Sequence, residues 1–410
     1  MAGLADTTLR LARGKRLWEG LARAAGRAAA EDVPTRLATV PNFGANPGGL
    51  DMLVYRPDGM AARPPLVVVL HGCQQSAGGY DLGAGWSQVA DRHGFMLLLP
   101  QQRSANNPNR CFNWFQPHDV ARGGGEAASI QHMIEHLVAH ENVDPARVYV
   151  TGLSAGGAMA AALLAAYPET FAGGQIIAGL PFGTATNVRQ ALESMATARE
   201  LSPRDWGDRV RAASPHRGPW PTVSVWHGDQ DRVVVPGNAD ALAAQWRDVH
   251  GLPAEPTRRE RLGRHDRLVW EDAAGRPVLD QVVIHDMGHG TPLRPGQGRD
   301  GCGRAGPFLL DVGLSSTLHA ARAWGLTDLE VSARAAAAPA ARPDAPAPAA
   351  GRLPVPAAGQ PSRPERPEAD AAPHPDGLGE DLLDGLRRVG VKPGVLGVIQ
   401  GAFRSAGLIR

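Results

Sequence analysis

The sequence predicts an α/β architecture: a mostly parallel central sheet with helices on both faces. Five short apolar runs recur within residues 36–330, and stretches of helical periodicity separate them. Alternation of this kind buries each strand on both faces and returns the chain by right-handed crossovers. One strand-to-helix junction carries a serine between glycines, the sharpest local signal in the chain.

Over residues 5–30, Leu9, Leu11, Leu17, Trp18 and Leu21 recur among arginines. Within an N-terminal segment spanning residues 1–35, this pattern predicts an amphipathic helix docked on the main domain. Attachment to a membrane surface is the other use of such a helix. Pro65–Leu70 (PLVVVL) is apolar throughout, as a buried parallel strand is. Phe95–Leu99, Arg147–Thr151, Thr222–Trp226 and Val282–Ile284 read as further strands. Helices are expected near 84–92, 124–141, 155–167 and 237–249. From 331 to 376 alanine and proline dominate, and a segment with so little apolar surface is expected to be an extended, disordered linker. Residues 377–410 regain Leu382, Leu383, Leu386, Val395, Val398, Ile399 and Phe403 around a break at Pro393-Gly394. They predict a short helical segment, too small for a core of its own.

Composition excludes several function classes. The net charge of +1 supplies no overall field to attract nucleic acid or an anionic membrane. No run of 18 apolar residues is present, so no spanning helix is expected. Ala28-Ala29-Ala30 offers small residues of the cleavage-site type, but Arg10, Arg13, Lys15, Arg16, Arg23 and Arg27 interrupt every apolar stretch before it. The expectation is a cytoplasmic protein without a signal peptide. Three cysteines, Cys73, Cys111 and Cys302, permit at most one bridge, which a reducing compartment disfavours.

The chemistry centres on Gly152-Leu153-Ser154-Ala155-Gly156-Gly157, directly after the strand RVYVT and directly before a helix. A G-x-S-x-G turn of this type holds its serine on a strained bend, where the hydroxyl is exposed at the sheet edge. The helix that follows aims its first N–H groups at developing negative charge. A serine nucleophile needs a base, and in the α/β-hydrolase fold the order along the chain is Ser, then Asp or Glu, then His. Asp231, in the loop beyond the strand TVSVW, is the acid of choice, with Asp229 its competitor. His289, between Gly288 and Gly290 after the last strand, is the base of choice. His285, nearer the strand, is expected to be structural. The oxyanion requires two N–H donors: Ala155, and one from the loop His71-Gly72-Cys73-Gln74-Gln75, where Cys73 is preferred and Gln74 is second.

These residues belong to a set of motifs that resembles the polyhydroxybutyrate depolymerase family of esterases, related to feruloyl and acetylxylan esterases. The matching pieces are HGCQQSA (71–77), CFNWF (111–115), RGGGEAASI (122–130), GLSAGGAMA (152–160), HGDQDRVVVPGNA (227–239) and GPFLLDVGLSST (306–317). The resemblance implies an α/β-hydrolase with Ser154, Asp231 and His289 as triad and Cys73 with Ala155 as oxyanion donors. It implies that Trp114 lines the acyl or polymer cleft, and a Cys73–Cys111 bridge as in secreted members; Gln74, on the oxyanion loop, is a further substrate-binding candidate. The chain departs from the family in having Gly290, Thr291 and Pro292 after His289, where an aromatic and a proline often follow. No secretion signal or polymer-binding module is recognisable.

Two other motifs point elsewhere. His132-Met133-Ile134-Glu135-His136, extended by His140, has zinc-protease spacing on one helix face. It precedes the elbow strand without a third-ligand motif, so a solvated helix face is expected and no metal site. Gly123-Gly124-Gly125 lacks the Lys-Ser/Thr of a phosphate loop and reads as a turn. The functional expectation is therefore a serine-dependent carboxylic-ester hydrolase that needs no cofactor and acts through an acyl-serine. Its substrates are short-chain or 3-hydroxybutyrate-type acyl esters, small or polymeric. The alternatives are a feruloyl or acetyl esterase of carbohydrate esters, and a non-catalytic scaffold protein with a vestigial hydrolase domain.

Overall fold

A computed structural model describes residues 35–327. The expectations for residues 5–30, 331–376 and 377–410 lie outside the described residues.

The strands in chain order are β1 (Ala38–Thr39), β2 (Asp51–Tyr55), β3 (Leu66–Leu70), β4 (Met96–Gln101), β5 (Val148–Leu153), β6 (Gly173–Ile177), β7 (Thr222–Gly228), β8 (Arg258–Leu262), β9 (His265–Glu271), β10 (Pro277–Ile284), β11 (Thr291–Leu293) and β12 (Leu309–Asp311). The helices are α1 (Ala77–Ala84), α2 (Trp86–His93), α3 (Pro117–Val120), α4 (Gly125–His140), α5 (Ala155–Ala166), α6 (Val188–Ala196), α7 (Pro203–Ala212), α8 (Gly237–His250) and α9 (Ser316–Ala323). The large sheet runs β1-β2-β4-β3-β5-β6-β7-β10-β9-β8, and β11 pairs with β12 apart from it. Its centre, from β4 to β10, is parallel. Both flanks are antiparallel: β1 and β2 on one side, β9 and β8 on the other.

The period of two in a strand sorts the core into two layers. Leu66, Val68 and Leu70 of β3 face the layer that holds α4, α5 and α8, through Ile130, Met133, Met159, Leu242 and Trp246. Val67 and Val69 face the other, with Tyr80, Trp86, Val89, Leu318 and Trp324. The five expected strands are present. The helix expected near 84–92 is α2, and α1 precedes it as a further helix; Gly85 at φ 79° lies between them, a left-handed geometry that ends one helix and starts the next. Among the described residues, no helix is long and apolar enough to cross a membrane.

Parallel strands all end at one edge, and the residues that matter follow those ends: loop 71–75 after β3, Ser154 after β5, Asp231 after β7 and His289 after β10. Open α/β sheets bind ligands outside these carboxyl ends.

Candidate active site

Ser154 stands at φ 57°, ψ −116°, between β5 and α5, a conformation a non-glycine residue adopts only when its surroundings enforce it. Its amide donates to the Ile177 carbonyl at 2.9 Å and its carbonyl accepts from Ala158 N–H at 2.9 Å. The neighbouring glycines are required by contact. A Cβ on Gly152 would lie 2.4 Å from the Gly156 carbonyl carbon and oxygen, and one on Gly156 would lie 2.4 Å from the Leu70 carbonyl oxygen. The bend therefore presses against the end of β3, which brings loop 71–75 beside the serine.

His289 and Asp231 meet across the β7 and β10 ends: His289 Nδ1 donates to Asp231 Oδ2 at 2.7 Å. Backbone bonds close the two loops on each other, from Asp229 N–H to the Ile284 carbonyl at 3.1 Å and from Gln230 N–H to the Met287 carbonyl at 3.0 Å. The Asp231 carboxylate is wholly buried. Its Oδ1 accepts from the Val233 and Val234 amides at 2.8 and 3.0 Å, and its Oδ2 also lies 3.2 Å from His227 Nε2. Burial alone would raise its pKa. The charge of His289 and the donors from His227 and His289 outweigh that and hold the carboxyl well below its usual range.

Asp229 and His285, the competing pair, are bonded to each other instead. His285 Nδ1 lies 2.9 Å from Asp229 Oδ2, and its Nε2 lies 2.8 Å from Asp266 Oδ2 on β9. Hydrogen bonds to these two carboxylates raise the imidazole pKa above its ordinary value. This half-exposed clip ties the β7 and β10 loops to the β8–β9 hairpin. It does not reach the serine's cavity.

Ser154 and His289 line one open cavity together with Gly72, Cys73, Gln74, Gln75, Leu153, Met195, Val233 and Phe308. The amides of loop 71–75 are distinguished by their bonds. Gly72 N–H donates to Gln75 Oε1 at 2.8 Å. Gln74 N–H donates to the Asn109 carbonyl at 2.7 Å, and Gln75 N–H to the Gly72 carbonyl at 3.3 Å. Gln74 is thereby removed as an oxyanion donor, although its side chain stays on the cavity wall. The Cys73 amide has no partner among the described residues. Ala155 N–H opens α5, where helix geometry leaves the first amides unpaired.

Cys73 is bridged to Cys111, with Cα atoms 4.2 Å apart, while Cys302 is a buried free thiol. Gln74 at φ 62° and Arg110 at φ 50° are held by the Gln74–Asn109 bond and by Arg110 Nη2 donating to the Gln74 carbonyl at 3.0 Å. Loop 71–75 is thus clamped to loop 107–111 by one covalent and several polar ties. Trp114 is not among the residues that line this cavity; it is 8% exposed and packs in one apolar cluster with Cys111, Ala155, Ala158 and Val234.

Sequence reasoning missed two groups. Glu126, in the first turn of α4, is buried and accepts from Asn113 N–H and Asn113 Nδ2, both at 2.8 Å, and from Gln102 Nε2. Gln102 Nε2 also donates to the Cys111 carbonyl at 3.1 Å. Burial pushes the Glu126 carboxyl up to about 8, against the pull of those donors. A lone acid at a helix start reads as a solvated dipole partner, so nothing local announces this brace. The second group is Phe308, whose ring meets the His289 ring edge-to-face with centroids 6.1 Å apart.

Elsewhere, His132 bonds the Ala45 carbonyl at 2.7 Å, His140 bonds the His136 carbonyl at 2.8 Å, and the His136 and His140 rings stack at 4.3 Å. Gly123-Gly124-Gly125 forms the turn into α4, with Gly123 at φ 77°.

A sheet of this order with a serine on a strained elbow and an Asp–His pair beyond the later strands defines an α/β-hydrolase. Residues 50–267 match the family described as esterase PHB depolymerase. The chain is 43% identical over 291 residues to poly(3-hydroxyalkanoate) depolymerase C of Paucimonas lemoignei, covering 71% of this chain and 70% of that one. It is 33% identical over 271 residues to an acetylxylan esterase of Coprinopsis cinerea, covering 64% and 71%. The solved acetyl xylan esterase from Aspergillus awamori superposes with a TM-score of 0.57 at 25% identity, over 62% of this chain and 93% of that one. The chain belongs to the esterase PHB depolymerase family, and it is a carboxylic-ester hydrolase.

Proposed function

We propose that Ser154, His289 and Asp231 hydrolyse short-chain or 3-hydroxybutyrate-type acyl esters through an acyl-serine. The observation that carries this reading is the buried Asp231–His289 pair at 2.7 Å opening on the cavity that Ser154 lines. With Nδ1 committed to Asp231, His289 keeps Nε2 for the serine. Ser154 Oγ attacks the ester carbonyl carbon as Nε2 takes its proton. The carbonyl electrons move to oxygen, where the Cys73 and Ala155 amides receive the charge. When the tetrahedral intermediate collapses, the C–O bond to the alcohol breaks and Nε2 returns the proton to the leaving oxygen. A water molecule activated by the same nitrogen then releases the acid. Each oxyanion donor contributes about 3 kcal/mol to such a transition state.

The apolar wall of Leu153, Met195, Val233 and Phe308 supports a compact aliphatic acyl group, as does similarity to a poly(3-hydroxyalkanoate) depolymerase. The acetylxylan esterase relative supports the second reading, an acetyl ester of a carbohydrate. The test is a panel of p-nitrophenyl esters of graded acyl length, 3-hydroxybutyrate oligomers, acetylated xylan and feruloyl esters, run on wild type and Ser154→Ala. The expected result is preference for the short aliphatic and hydroxybutyrate esters and loss of at least ~10⁴-fold in kcat in the variant. Preference for acetylated xylan selects the second reading, and activity kept by Ser154→Ala overturns the first step. Cytoplasmic residence predicts free thiols at Cys73 and Cys111 in the cell, and an oxidising compartment predicts the bridge. Thiol counting on protein trapped at lysis separates the two.

A further inference from the structure

Phe308 occupies a position that the backbone reserves for glycine. Gly306-Pro307-Phe308-Leu309 is a tight turn, with Leu309 N–H donating to the Gly306 carbonyl at 3.0 Å and Gly306 N–H to the Leu309 carbonyl at 2.9 Å. Proline in second place followed by a positive φ is the order of a type II turn, whose third residue is normally Gly or Asn. Here it is phenylalanine at φ 61°, which carries the steric cost of a Cβ in the left-handed region. A non-glycine residue persists there when the surroundings gain from its side chain.

The surroundings show what is gained. The Phe308 ring stands edge-to-face against His289 at 6.1 Å, and the same ring lines the cavity with Ser154. The backbone fixes the ring in turn: the Phe308 carbonyl accepts from Thr291 N–H at 2.8 Å, and a Cβ on Gly290 would lie 2.8 Å from that oxygen. The residue after His289 is therefore pinned under the turn that carries Phe308. His289 has Asp231 on one edge of its ring.

We propose that Phe308 is a positioning and specificity residue, its strained turn holding the ring against His289 and closing one wall of the ester cavity. The inference rests on Ser154 and His289 acting as described above. It predicts an unusual separation of stability from activity. In Phe308→Gly the turn loses its strain while the ring contacts are lost, so the melting temperature stays within about two degrees of wild type. The same variant loses at least tenfold in kcat/KM, and much of the loss is in kcat because the imidazole is no longer held. The loss is smallest for the longest acyl chain, because removing the ring enlarges the cavity. Phe308→Tyr keeps an aromatic ring and restores most of kcat.

The experiment measures kcat, KM and melting temperature for wild type, Phe308→Gly, Phe308→Tyr and Ser154→Ala on p-nitrophenyl acetate, butyrate and hexanoate. A Phe308→Gly enzyme within twofold of wild-type kcat/KM on all three esters overturns the inference. So does a tyrosine variant no better than the glycine variant. A glycine variant that melts far below wild type points to a structural ring and overturns it as well. Activity retained by Ser154→Ala instead sinks the underlying reading, so the two failures are told apart on the same plate.

Discussion

Removing the Cys73–Cys111 bridge, by Cys73→Ala with Cys111→Ala, tests whether loop 71–75 is held where catalysis needs it. The two cysteines are 38 residues apart in sequence. Closing a loop of that length withdraws about 13 cal/mol/K of entropy from the unfolded chain, or ~3.9 kcal/mol at 25 °C. Over residues 35–327, an unfolding entropy of roughly 2 cal/mol/K per residue amounts to ~0.6 kcal/mol/K, so the melting temperature should fall by about 6 °C. The kinetic effect has a ceiling, the 10²- to 10³-fold loss that follows removal of one oxyanion donor. It should fall short of that ceiling, because the Gln74–Asn109 bond and the Arg110–Gln74 bond survive. The expected drop in kcat is therefore about ten- to a hundredfold, with KM little changed. The assay is thermal unfolding by circular dichroism beside steady-state hydrolysis of p-nitrophenyl acetate, with reduced wild type as a second route to the same state. A melting shift under one degree together with kcat within twofold would refute the clamp.

Three further outcomes follow from the same geometry. Asp231→Asn should lower kcat by roughly 10⁴-fold, because the amide no longer fixes the imidazole tautomer, whereas Asp229→Asn should stay within tenfold; steady-state kinetics on both variants checks the assignment, and equal losses would contradict it. Glu126 has a folded pKa near 8, raised by burial, so its contribution to stability is full below its unfolded value and is lost as pH rises through 8. Urea titrations from pH 5 to 9 should show Glu126→Gln with a shallower fall than wild type, by at most about 1.4 kcal/mol per pH unit, and identical slopes would exclude the effect. Gly156→Ala places a Cβ 2.4 Å from the Leu70 carbonyl oxygen, so it should cost about 3 kcal/mol of stability, the upper end of core overpacking; a variant that melts with wild type would show that the elbow can shift.

The sheet's centre was legible in the chain because its strands are contiguous and apolar. LVVVL and MLLL are buried on both faces, and burial on both faces is what an uninterrupted apolar run encodes. The elbow was legible for a related reason: its chemistry lies in six adjacent residues, with the conformational demand written as glycine on either side of Leu153-Ser154-Ala155. Strand β6 carried no such signal. Its Gly173 and Gly174 are required by contact, since Cβ atoms there would strike Thr222 Oγ1 at 2.3 Å and Leu164 Cδ1 at 2.6 Å. Strands β8 and β9 are half exposed and charged, so their pairing is decided by neighbours and not by pattern. Composition cannot choose between Asp229 and Asp231, two residues apart in one loop. The tertiary structure separates them: one carboxylate is buried against His289 with four donors around it, and the other is half exposed in a clip with His285. Glu126 and Phe308 were hidden because burial and a positive φ are properties of what surrounds a residue. Local sequence specifies which groups can do chemistry, and packing between distant segments decides which of them are held dry, oriented and within reach.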